Sequence, residues 1–219
     1  HQLHRFDLFV FEQVCREFKT RYDNGLPLVP VSVNFSMQDF DYANILSEMN
    51  ALYKKYHLDV LVDKSYFIIE ITEQDLAIGT EKLKEQFNLI RENGYRLWLD
   101  DFGSGYSALN VFSQFDFDLV KYDMELLKNL DFNNGINRII LKELVFLSKK
   151  FGIHTLIEGV ETEEQFSFVK EIGCELAQGF YFHKPESLDG ILNRIHNGES
   201  PKMCETPKER AEFNRKWFE

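Results

Sequence analysis

Two hydrophobic periods alternate along this chain. Short apolar runs, "LVPVSVNF" (28–35), "YFIIEIT" (66–72), "YRLWLD" (95–100), "DLVKYD" (118–123), "HTLIEGV" (154–160) and "ELAQGFYF" (175–182), read as strands. Between them, apolar residues recur every three or four positions, as on one face of a helix. This predicts helices over 7–21, with Asp7 as cap, and then over about 41–56, 80–93, 106–114, 134–151, 162–172 and 187–196. Gly94, Gly152 and Gly173 follow three of these helices, where a left-handed residue ends a helix at little cost. A last helix is expected at 206–219, with Thr206 as cap and Pro207 in its first turn.

Six strand-then-helix units in a row imply parallel strands joined by right-handed crossovers. An open doubly wound sheet and a barrel both satisfy that pattern. The Gly-rich first turn of a dinucleotide-binding sheet is missing, since "GSG" at 103–105 is only a fragment of it. A closed (β/α)8 barrel would need two more strands than are seen.

Charge and cysteine content narrow the chemistry. The net charge of −11 argues against a DNA or RNA polymer or an anionic membrane as partner. There is no apolar run long enough to span a bilayer and no recognisable signal peptide. Cys15, Cys174 and Cys204 are odd in number and lack metal-site spacing, which suggests reduced thiols and a cytoplasmic setting. The chain lacks an initial methionine and enters a helix almost at once, so it is expected to be a piece of a longer protein.

The polar residues that close the strands form the main functional signal. They are Asn34, Glu70, Asp100 with Asp101, Lys121 with Asp123, Glu158 and Gln178. Singly, each has an ordinary reading as a helix cap or a solvated rim. In a parallel barrel, however, all of these ends open onto one face, where active sites lie. The carboxylates and the amide are hard oxygen donors, and the histidines lie elsewhere in the sequence. That donor set suits Mg²⁺ or Mn²⁺ rather than zinc. The adjacent aspartates in "LDDFGSGYS" suit two cations about 3.5–4 Å apart, an arrangement that activates water for in-line displacement at a phosphodiester. Lys121 would add a point charge. Ser36 and Ser104 have no histidine partner in the pattern, which argues against a hydrolytic triad.

These motifs carry a family resemblance. "SVNFS" is similar to V-N-L-S, "IIEITEQ" to L-E-I-T-E-S, "LDDFGSGYSAL" to D-D-F-G-T-G-Y-S-S-L, and "VKYD" to K-I-D. "IEGVETEEQ" is similar to A-E-G-V-E-T, and "GCELAQGFYFHKP" to G-C-D-L-A-Q-G-Y-Y-F-S-K-P. In order and together, from about Phe6 to Pro185, they resemble the EAL-domain family of cyclic di-GMP phosphodiesterases. The resemblance implies an α/β fold, a modified (β/α)8 TIM-type barrel, over residues 1–205, with the first two strands absent from this chain. It implies hydrolysis of cyclic di-GMP to linear pGpG with two Mg²⁺ or Mn²⁺ ions per site. Asn34, Glu70 and Asp100 would ligate the first ion, and Asp100 and Asp101 the second. Lys121 and Glu158 would position and deprotonate the attacking water. Gln178, Glu161 and Asp123 would lie on the substrate side, with Glu161 also supporting the "DFGSGYS" loop. A homodimer is expected, and a GGDEF or sensor domain on the same full-length chain.

Two departures qualify these expectations. Tyr122 and Gln74 replace the family's isoleucine and serine at positions that bind no metal. More seriously, nothing before Phe6 supplies the E-A-L glutamate, so residues 1–219 alone are expected to turn over poorly or not at all. The competing expectation is a catalytically silent cyclic di-GMP receptor or an interaction module on the same barrel.

Overall fold

The computed structural model describes residues 2–26, 28–42, 44–78, 81–103, 108–128 and 135–198. In chain order the elements are α1 (Gln2–Asp23), β1 (Val31–Asn34), α2 (Met37–Tyr42), α3 (Ile45–Lys55), β2 (Phe67–Thr72), α4 (Glu81–Glu92) and β3 (Arg96–Phe102). They continue with α5 (Ala108–Gln114), β4 (Leu119–Tyr122), α6 (Glu125–Lys128), α7 (Ile136–Lys150), β5 (His154–Ile157), α8 (Glu163–Glu171), β6 (Leu176–Ala177) and α9 (Leu188–His196). All six strands are parallel and lie in chain order, β1 to β6, as a curled half-barrel. The two edges are β1 and β6, as the sequence pattern implies. The last expected helix, 206–219, lies outside the described residues. No helix among the described residues is long and apolar enough to cross a membrane.

The two-residue period of the strands sorts side chains onto two faces. Phe67, Ile69 and Ile71 of β2, Leu97 and Leu99 of β3, Val120 and Tyr122 of β4 and Ile157 of β5 belong to the large core under the helices. The alternate positions Trp98, Leu119, Leu156 and Leu176 form a separate small cluster on the inner face. Continuing along that inner face leads to Glu70, Asp100, Lys121, Glu158 and Gln178. The polar ends and the inner apolar floor are therefore one stripe per strand.

Some boundaries differ from the sequence expectation. Helix α1 begins at Gln2, and Asp7 is no cap: its carboxylate accepts a hydrogen bond from the Ser36 amide, shared with the buried Asp39. The expected helix at 41–56 is two helices, α2 and α3. Asn44 interrupts it and caps α3 by accepting from the Ser47 amide. The run 175–182 has strand composition, but only Leu176 and Ala177 pair, because the chain turns sharply at Gly179. Thr162 was expected to start α8 and does, in a reciprocal capping box with Gln165.

The core beneath β1 and β2 is unusually aromatic. Phe67 packs against Phe11, Phe18 and Tyr53 with ring centroids 5.4, 4.6 and 5.4 Å away, and is 1% exposed. It ties α1 and α3 to β2. Replacing Phe67 with Ala is expected to cost about 3–5 kcal/mol of stability. Denaturant unfolding should show that loss, and a change below about 1 kcal/mol would mean the cluster relaxes around the cavity.

Candidate functional site

The site lies at the C-terminal ends of the strands, on the inner face. Its centre is Lys121 of β4, which is 6% exposed. The Lys121 ammonium lies 2.8 Å from Asp100 Oδ1, 2.7 Å from Glu158 Oε1 and 3.3 Å from Glu70 Oε1. These carboxylates come from β3, from just after β5, and from β2. Burial opposes charging of Lys121, but attraction from Glu70 and hydrogen bonds to Asp100 and Glu158 outweigh it and raise its pKa. Glu70 is pushed upward by burial, with Lys121 pulling against that shift. The Ser32 hydroxyl of β1 also hydrogen-bonds Glu70. Register pairs Asn34 with Glu70, two residues further along the same face of β1.

Adjacent residues of a regular strand point to opposite faces, so Asp100 and Asp101 should not both reach one site. A bulge removes the conflict. Leu99 pairs with Val120, and Phe102 pairs with Tyr122, leaving one extra residue on β3. Asp101 adopts φ 54°, in the left-handed region that Asp tolerates better than most residues. Its amide donates to Asp100 Oδ1 at 3.0 Å. Asp100, Asp101 and Glu158 then bring ligand oxygens within 4.8 Å of one another. Asp101 is raised by burial first and by repulsion from Asp100, Asp123 and Glu158 next. Three half-buried carboxylates, all oxygen donors, with one of them destabilised as an anion, fit a hard divalent cation.

Glu158 follows β5, and its amide donates to the Tyr122 carbonyl at 3.0 Å. Gly159 comes next with φ 70°, and a Cβ there would stand 2.4 Å from Met124 Cβ. Gln178 follows β6, and its Nε2 donates to Glu158 Oε1 at 2.5 Å. Glu158 therefore holds two partners, Lys121 and Gln178, and lines a cavity of about 660 Å³.

Two sequence-predicted residues sit at the margin. Asp123 caps α6, accepting the Glu125 amide at 2.6 Å, and bears on Asp101 only through charge. Glu161 is exposed on the cavity wall, and its amide is taken by Gln165. Residues 104–107 of the loop that Glu161 is expected to support lie outside the described residues; at the start of that loop Glu73, 4% exposed, accepts the Gly103 amide at 2.8 Å. The sequence reading passed over Glu73. Its signal was a second glutamate, three residues after Glu70, in "EITE".

The EAL domain family model matches residues 1–185. The chain is 26% identical over 187 residues to the cyclic di-GMP phosphodiesterase NbdA of Pseudomonas aeruginosa, covering 85% of this chain and 23% of that protein. It is 34% identical over 128 residues to the probable cyclic di-GMP phosphodiesterase PdeG of Escherichia coli, covering 58% of this chain and 25% of that one. The chain thus spans about a quarter of the length of these curated relatives. Among solved structures, the manganese and cyclic di-GMP complex of Klebsiella pneumoniae BlrP1 superposes with a TM-score of 0.69 at 26% identity, covering 83% of this chain and 45% of that one. With the half-barrel, the strand-end carboxylates and the central lysine in place, this chain belongs to the EAL domain family.

Proposed function

We propose that the domain hydrolyses cyclic di-GMP to linear pGpG, with Mg²⁺ or Mn²⁺ as cofactor. The observation that carries this reading is the joint placement of Lys121, Glu158, Asp100 and Asp101 around one point at the strand ends. The relatives named as cyclic di-GMP phosphodiesterases and the manganese complex of BlrP1 support it.

The residues divide the chemistry as follows. Asp100 and Asp101, with Glu70 and Asn34 beside them, would hold the two divalent ions. When bound, these ions polarise the phosphodiester and lower the pKa of the attacking water. Glu158 takes the proton of that water as it attacks phosphorus and the bond to the leaving ribose oxygen breaks. Gln178 and Lys121 fix the orientation of the Glu158 carboxylate, and the ammonium stabilises charge on the phosphate oxygens. The second reading, a silent cyclic di-GMP receptor, needs no base. The hydrogen-bonded setting of Glu158 favours the enzyme.

Two further features belong to this reading. Cys15 and Cys174 are free thiols that burial pushes up to about 12 and about 11, which keeps them protonated and unreactive. Helix α7 exposes Ile136, Ile139, Ile140 and Phe146 along one side, with Phe151 just past its end. Such a stripe supports pairing of two copies.

Turnover of cyclic di-GMP by the protein that carries this domain should require Mg²⁺ or Mn²⁺ and stop in Ca²⁺, whose looser coordination does not hold a tight two-ion geometry. Full activity in a chelator would refute the metal assignment. Glu158→Gln should lower kcat about 10²–10⁴-fold while nucleotide binding persists, and normal turnover would remove the base from Glu158. Protons compete with the cation for Asp101, whose folded pKa is raised. Mn²⁺ affinity should therefore fall as pH drops toward that pKa and recover above it, and a pH-independent titration would contradict this. Ile139→Glu together with Phe146→Glu should convert a dimer to a monomer in light scattering.

A further inference from the structure

Beyond the reacting phosphate, one charged cluster on the cavity wall has no role in the mechanism above. The cavity beside Glu158 and Gln178 is lined on its far side by Phe180, His183, Lys184, Glu186 and Arg194. Glu186 Oε1 lies 2.6 Å from Arg194 Nη1 and 3.4 Å from His183 Nδ1. An arginine reaching from α9 thus holds a carboxylate that faces the same space as the catalytic groups.

The segment that carries Phe180 is built rigidly. Gly179 has φ 153°, and a Cβ there would sit 2.2 Å from the Val160 carbonyl oxygen, so no other residue fits. The Tyr181 amide donates to Val160 O at 2.9 Å, and the Phe182 amide to Gly179 O at 3.1 Å. Tyr181 stacks on Phe166 of α8 at 5.2 Å, Phe182 meets the same ring edge-on at 5.6 Å, and the Tyr181 hydroxyl reaches Glu163. With both neighbours anchored, Phe180 is turned outward into the cavity and is 56% exposed. Lys184 Nζ stands over the ring 5.5 Å from its centroid, and the part of this large apolar ring left exposed beside a held carboxylate is a recognition surface for a flat, polar ring.

We propose that Glu186, oriented by Arg194, reads the Watson–Crick edge of one guanine of the substrate while Phe180 carries the base by stacking; this rests on the functional reading above. Guanine offers two adjacent donors, N1–H and the N2 amine, that match the two oxygens of a carboxylate. Adenine places an acceptor at N1, which would face Glu186 with like polarity. Charge-assisted, two-point pairing of this kind discriminates, because the wrong base sets a ring acceptor against the carboxylate. Arg194 and His183 hold Glu186 Oε1, and Oε2 lies beside Gly190 in the first turn of α9, which fixes the plane of the group. Glu186 is thereby a specificity-determining residue, and Arg194 is a positioning residue.

The test is equilibrium binding of cyclic di-GMP and cyclic di-AMP, in Ca²⁺ to prevent turnover, to wild-type protein, Glu186→Gln, Arg194→Met and Phe180→Ala. Thermal unfolding is followed in parallel. Glu186→Gln should weaken cyclic di-GMP binding about 10–100-fold with unchanged melting temperature, and should narrow the preference over cyclic di-AMP. Phe180→Ala should weaken both nucleotides to a similar degree, since stacking does not distinguish purines. Arg194→Met should reproduce the loss of preference in milder form. An unchanged nucleotide preference in Glu186→Gln, with wild-type protein binding cyclic di-GMP, overturns this assignment and leaves the proposed function standing. Failure of wild-type protein to bind cyclic di-GMP at all overturns both.

Discussion

The structure depends on a buried charge balance. Lys121 rises from the middle strand region into a shell formed by Glu70, Asp100 and Glu158, with all four groups largely withdrawn from water. None of these charges is tolerable alone in that setting, since an unpaired buried ion costs several kcal/mol. Together they are held by short, charge-assisted contacts that cross four successive parallel strands or their ends. The balance is incomplete, however. One ammonium faces several carboxylates, and Asp101 adds another at the margin, driven upward by burial and by its neighbours. That residual negative potential would draw a divalent cation to the site, so the proposed chemistry follows from a charge deficit built into the fold.

Geometry makes the deficit usable. Regular β-structure would have sent Asp100 and Asp101 to opposite faces, one into the aromatic core and one into the barrel. The bulge on β3, with Asp101 in the left-handed region, lets one strand deliver two carboxylates to one place. Glu73 then takes the Gly103 amide and secures the chain as it leaves the bulge. The strain at Asp101 is small, of order 1–3 kcal/mol, against a core that includes Phe67, Phe87, Phe102 and Tyr122, all buried.

The two walls of the site differ in kind. On one side the carboxylates and Lys121 are buried and locked by strand register. On the other, Phe180, Glu186 and Arg194 stand in the open cavity, held by a tight turn and an ion pair rather than by the sheet. The first wall suits chemistry shared by a family of phosphodiester-cleaving sites. The second can change residue by residue without disturbing strand register, which is where selectivity for a base is most easily placed.

Much of this was readable along the chain. Alternating periods gave parallel strands in order, and the polar residue closing each strand located the mouth of the barrel, because period-two patterning acts locally and needs no partner to be visible. Lys121, Glu158 and Gln178 were legible for the same reason. The lengths of the elements were less so: Asn44 divides one expected helix by capping α3, and Gly179 ends β6 early where its backbone meets Val160, distant in sequence. Which carboxylates share one point was decided only by tertiary structure. A bulge depends on the register of the neighbouring strand, as Phe102 against Tyr122 shows, and the Glu73 contact depends on a loop brought to it by that register. Sequence by itself determined the kinds of group and the face they share; packing determined their distances, because only the assembled set of strand pairings fixes where each side chain stands in space.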